Sequence, residues 1–139
     1  MKLKHLFATA IAIAALAIPA LAEEETPLGK EMEKISKALK GVARAQKEGT
    51  LTKEMAAKIA DAKTACEAAA KLEPVRTKNV PAADKAKFLT DYKAAMTQLG
   101  KDLDALKAAI EAGKNDEAGK LLEKLNADKK EGHKNFQEE

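Results

Sequence analysis

From Leu28 onward, apolar residues return along the chain every three or four positions, the spacing that keeps them on one stripe of an α-helix. In the first such segment Leu28, Met32, Ile35, Leu39 and Val42 share a face, Thr26 and Pro27 supply a cap and a first helical residue, and Gly49 is the stop. The second carries Met55, Ile59, Ala62, Cys66, Ala69 and Leu72, with Thr52 as its expected cap and Pro74 as its end. Residues 73–81 hold two prolines and no periodicity, which predicts the one long connection. The third and longest segment runs from about Pro81 to Gly113, with Leu89, Tyr92, Met96, Leu99, Leu103, Leu106 and Ile110 in unbroken alternation. Asn115 is the expected cap of the fourth, whose face holds Ala118, Leu122, Leu125, Lys129, His133 and Phe136. Little in the chain favours strands. Short links at residues 48–51 and 113–115 force antiparallel neighbours, so the predicted fold is all-α, an up-down-up-down antiparallel four-helix bundle.

Residues 1–22 have a different pattern. Basic Lys2 and Lys4 precede an apolar run from Leu6 to Ile18, and Ala20-Leu21-Ala22 forms a small-x-small cleavage site, the layout of a secretory signal peptide. The rival reading, a membrane anchor, needs an apolar run of about 20 residues, and Glu23-Glu24-Glu25 follows too soon. The expectation is cleavage after Ala22, export to the periplasm, and a mature domain spanning 23–139 with no membrane span. Loss of Lys2 and Lys4 leaves 23 basic against 22 acidic residues, a near-neutral chain without a basic stripe interleaved with aromatics, so nucleic acid is not an expected partner. A single cysteine, Cys66, excludes an internal disulfide, and packing alone must hold the fold. No Gly-rich phosphate loop, Ser-His-Asp set or pocketed carboxylate pair is present, which argues against an enzyme.

With His5 removed, His133 is the one imidazole of the mature chain. In the predicted topology the start of the first helix and the end of the fourth lie at the same end of the bundle. Met32 is about five residues from one terminus and His133 about four from the other, so at 1.5 Å per residue both lie roughly 6 to 8 Å below that end. Met55 begins the second helix at the opposite end, and Met96 is expected roughly 22 Å down the third, which leaves Met32 to face the histidine. Phe88, Tyr92 and Phe136 fall in the same half, as walls for a flat apolar cofactor.

At these residues the chain resembles the cytochrome b562 family. The resemblance covers the mature chain and is carried by Lys30-Glu31-Met32-Glu33 in the first helix, Glu111-Ala112-Gly113-Lys114 at the turn into the fourth, and the run from that glycine to His133. It implies one non-covalent haem b per chain with Met32 and His133 as axial ligands. Phe88 and Tyr92, to within one helical turn of register, are similar to the family's pocket wall, and Ile35, Lys129 and Phe136 are further expected contacts. With both axial positions filled by side chains, what remains is one-electron carriage between unidentified redox protein partners, by a chain expected to be monomeric. Two departures stand out. Lys129 replaces an arginine of similar proteins, keeping charge without the planar fork, and Gly132 loosens the turn beside the histidine. Lys129 and Gly132 also stand where covalent attachment through C-x-x-C-H would need cysteines, which excludes a c-type linkage.

Each of these residues has a plainer use. Methionine fills helical cores, a histidine near a helix C-terminus complements the dipole, Cys66 suits a small buried apolar position, and lysines and glutamates form solvated faces. The competing function is therefore a haem-free exported bundle that binds a protein partner or buffers stress. The two readings differ in the core: haem requires an opening between the first and fourth helices at the Met32/His133 end, and the alternative requires a closed one.

Overall fold

Thr26 Oγ1 accepts the amide of Gly29 at 2.9 Å and Pro27 takes the first helical position, so α1 (Pro27–Lys47) begins where its cap residues dictate. The structure, a computed structural model, describes residues 26–137; the expected signal peptide, with His5 and the cleavage after Ala22, lies outside them. The other helices are α2 (Lys53–Ala69), α3 (Ala82–Glu111) and α4 (Asn115–Phe136), and between α2 and α3 a 3-10 helix spans Val75–Asn79.

The turns at the far end from Met32 share one device. Gly49 and Gly113 adopt left-handed backbone, φ 67° and 71°, and the following amides, Thr50 and Lys114, reach back to Ala45 O at 2.8 Å and Ala109 O at 2.9 Å. These are Schellman closures, which satisfy helix-end carbonyls and reverse the chain within a few residues. Thr52 takes the expected N-cap position of α2, whereas the expected cap at Asn115 does not form. Neither Thr52 nor Asn115 caps through its side chain; Asn115 is itself the first helical residue, and the acidic Asp116 and Glu117 in the first turn of α4 offset its dipole instead. Nor does α2 continue to Pro74: it stops at Ala69. The expected irregular connection is also more ordered than its prolines imply, since Pro74 and Thr77 are buried on either side of Arg76.

Helices adjacent in sequence are adjacent in space, and α1 closes the ring against α4. The core is formed by Leu28, Ile35 and Val42 of α1, Ile59 and Cys66 of α2, Tyr92, Met96, Leu103, Leu106 and Ile110 of α3, and Ala118, Leu122 and Leu125 of α4. Each fully buried leucine among them contributes about 1.5–3 kcal/mol. On α2 the core positions include Ala56, Ala62, Ala65 and Ala69, while Met55 and Leu72, expected on its stripe, are only half-buried. Small side chains let backbones approach, and α2 packs closely on both α1 and α3. The α1–α4 side is the loosest of the four. It is pinned at the turn end, where Gln46 Nε2 donates to Asn115 O at 3.4 Å and packs so near Gly119 that a Cβ there would lie 2.8 Å from it. Toward the other end it opens. Among the described residues no helix is long and apolar enough to cross a membrane.

Candidate functional site

The opening is a cavity of about 500 Å³ at the end of the bundle where α1 starts and α4 stops. Its α1 wall is Leu28, Met32, Ile35 and Leu39, and its α4 wall includes Leu125, Lys129, Gly132, His133 and Phe136. On α1 the residues at 28, 35 and 42 are fully buried, whereas Met32 and Leu39, between them on the stripe, are half-buried and face the space. His133 is likewise half-buried. Met32 and His133 thus stand on facing helices across one mostly apolar cavity of a size typical for small-molecule sites.

The aromatic residues gather at its end. The Phe136 ring meets Phe88 edge-on at 5.4 Å and 63°, and Tyr92 at 5.5 Å and 73°. Tyr92 donates its hydroxyl to Ala69 O at 2.7 Å, closing the last carbonyls of α2, and burial pushes its phenol up to about 12, with the nearby Cys66 adding to the shift. Phe88 is placed differently from its expected role: it supports Phe136 from behind and is not on the cavity wall. The α3 wall includes Tyr92, Ala95, Met96 and Leu99.

Met96 corrects the expectation that it lies far below the site. The first residues of α3, 82–87, are all exposed, and Tyr92, ten residues in, is level with the last residue of α2. The helix overhangs its neighbours, so depth counted from its first residue is too large. Met96, one turn on and 6% exposed, borders the same cavity as Met32. Cys66 fills the plainer role: its thiol donates to Met96 O at 3.2 Å, lies outside the cavity wall, and burial pushes it up to about 11.

Not every lysine is a solvated face. Beside the cavity, whose wall Gln98 and Lys124 join, the buried Asp102 carboxylate accepts from Lys124 Nζ at 2.5 Å and Gln98 Nε2 at 3.1 Å, tying α3 to α4, and this pairing chiefly raises the Lys124 ammonium. Lys129 is half-buried on the wall and also borders a second groove of about 370 Å³ between α1 and α4. Its ammonium is lowered first by burial and then by the charge of Lys40. Asp102 was invisible to the periodicity because a charged residue on the core side reads as an interruption.

The sequence reading also missed Arg76. Its guanidinium Nη1 donates to Lys134 O at 3.1 Å and Asn135 O at 2.9 Å, at the end of the helix that carries His133. Among the described residues no group of three or more His, Cys, Asp and Glu is placed to hold a metal ion. The soft donors on the wall are the His133 imidazole and the thioethers of Met32 and Met96, and Asp91, Asp128 and Glu131 border the same cavity. In a comparison with known protein families, the model for cytochrome b562 matches residues 27–137. Among curated proteins and among solved structures, none matches the chain.

Proposed function

Because the chain belongs to the cytochrome b562 family, a family of haem-binding electron carriers and not of enzymes, we propose that it carries single electrons in the periplasm using one non-covalent haem b held by Met32 and His133. The observation that carries this reading is the cavity itself, with a thioether and an imidazole on its two facing walls. One imidazole and one thioether would suit an iron whose remaining positions a macrocycle fills. Bound haem supplies a ferric/ferrous one-electron couple.

The chain's own residues set the terms of that couple. His133 would anchor the group and Met32 would favour its reduced state, raising the potential and leaving oxygen or peroxide no place to bind. Ile35, Tyr92, Phe136 and Met96 supply apolar walls that keep water out, and Lys129 places a positive charge at the rim. Phe88 fixes Phe136 from behind. The pattern of the first 22 residues supports export.

Absorption spectra of the purified protein with haem, oxidised and reduced, test the reading. The expected result is a low-spin spectrum in both states. His133→Ala should abolish stable binding, and Met32→Ala should keep some haem but change its spin state and lower its potential. No spectral effect of either change would place the ligands elsewhere, and no binding by the wild type would favour the haem-free bundle. The mass of the exported protein checks the leader: it should begin at Glu23.

A further inference from the structure

We propose that Arg76 is a positioning residue for His133, clasping the last turn of α4 from the 3-10 helix and fixing the approach of the imidazole to the cavity. An α-helix leaves its last four carbonyls without intrahelical donors, and in α4, with Gln137 as C-cap, these belong to residues 134–137. Gln137 N donates to His133 O at 2.9 Å, and the single guanidinium of Arg76 takes the next two, Lys134 O and Asn135 O. Its positive charge also faces the negative end of the helix dipole.

Packing holds this last turn at one point only, where the Phe136 ring meets Phe88 and Tyr92. Burial in α4 ends at Leu125, and beyond it no residue of the helix is fully buried. Gly132 lies directly before the histidine, with nothing within 4 Å of where a Cβ would stand, so position 132 adds no side-chain contact to steady the histidine. Arg76, by contrast, is held on both sides. Pro74 is buried on the cavity wall, Thr77 is 3% exposed, and the Thr77 amide donates to Pro74 O at 3.0 Å. The 3-10 helix therefore acts as a strap whose anchored ends transmit their rigidity through one guanidinium to the ligand turn.

This inference rests on the reading of His133 as a haem ligand, and its test separates the two. Arg76→Ala, Arg76→Lys and, as a charge control in the same strap, Lys78→Ala are compared with the wild type by amide exchange of the cofactor-free chain. The haem-loaded chain is compared by its ferric spin state and by haem transfer to excess apomyoglobin. Arg76→Ala should speed exchange at residues 133–137 about fivefold, leave the α2 and α3 cores unchanged, and raise both the high-spin fraction and the transfer rate severalfold. Arg76→Lys, which keeps the charge but not the fork, should recover part of each, and Lys78→Ala should change none. Unchanged local exchange in Arg76→Ala would overturn the clasp. Faster exchange with unaltered spin state and transfer would overturn its positioning role. A wild type that binds no haem would overturn the ligand assignment itself, and the positioning role with it.

Discussion

At residue 132 the lack of a side chain has two opposed consequences. An added methyl meets nothing within 4 Å, so Gly132→Ala should stabilise the cofactor-free protein by about 0.5–1 kcal/mol, or a few degrees of melting temperature. Gly132 also lines the cavity, where the same methyl takes space from an occupant. Melting curves of the two forms should show a gain in the cofactor-free protein that shrinks or reverses when haem is bound; equal gains would remove Gly132 from the contact surface. Cys66 and Tyr92 set the alkaline limit. Burial moves the thiol from 9.0 to about 11 and the phenol from 10.0 to about 12, so above pH 9 the native state retains protons that the unfolded chain has released. Stability from these groups is complete below pH 9 and is lost as pH rises toward 12, Cys66 first. Denaturation midpoints between pH 8 and 12 should fall less steeply in Cys66→Ala over the lower part of this range and in Tyr92→Phe over the upper part. Parallel curves for all three proteins would refute the assignment.

Among the elements, α2 and α1 differ in what they tolerate. The alanine positions of α2 lie against close backbones, and Ala62, 1% exposed, has no room to grow; Ala62→Leu should cost about 1–3 kcal/mol by urea denaturation. Leu39 faces the cavity and is half-buried, so Leu39→Ala should cost less than the corresponding change at Leu106, which is 0% exposed. A reversed order would mean that the loose side is as tightly packed as the rest. The same contrast explains what was legible in the sequence. The stripes of α1, α3 and α4 could be read because burial repeats with the helical period, and the two Gly turns because a left-handed residue has a compositional signature. Ala56 and Ala65 could not, since alanine is neutral in a hydrophobic pattern, and Met55 and Leu72 were given their places. Met96 was misplaced and Phe88 overvalued for one reason: the overhang of α3 depends on how the strap folds, which its prolines do not disclose. Arg76 could not be found at all, because backbone carbonyls about sixty residues away leave no trace in the residues that present them.

For the whole molecule, a cofactor that binds only the folded bundle stabilises it by mass action, about 2.7 kcal/mol at a hundredfold excess over its dissociation constant. Helicity should survive without it, because the α2–α3 contact is complete on its own and takes nothing from the cavity walls of α1 and α4. Amide exchange should therefore gain protection on haem loading chiefly at the first turns of α1 and the last of α4; a uniform gain, or none, would favour the haem-free bundle. The three connections join α1 to α2, α2 to α3 and α3 to α4, so the side that holds the cavity is the one side of the ring without a covalent link. The molecule is bound like a book, with α2 and α3 as its spine and the α1 and α4 covers parting at the fore-edge. On the proposed haem reading, a guest as broad as a porphyrin would enter by parting the covers, with no loop in its way. A crosslink sewn across that fore-edge would delay entry and exit alike while leaving the equilibrium between them almost untouched.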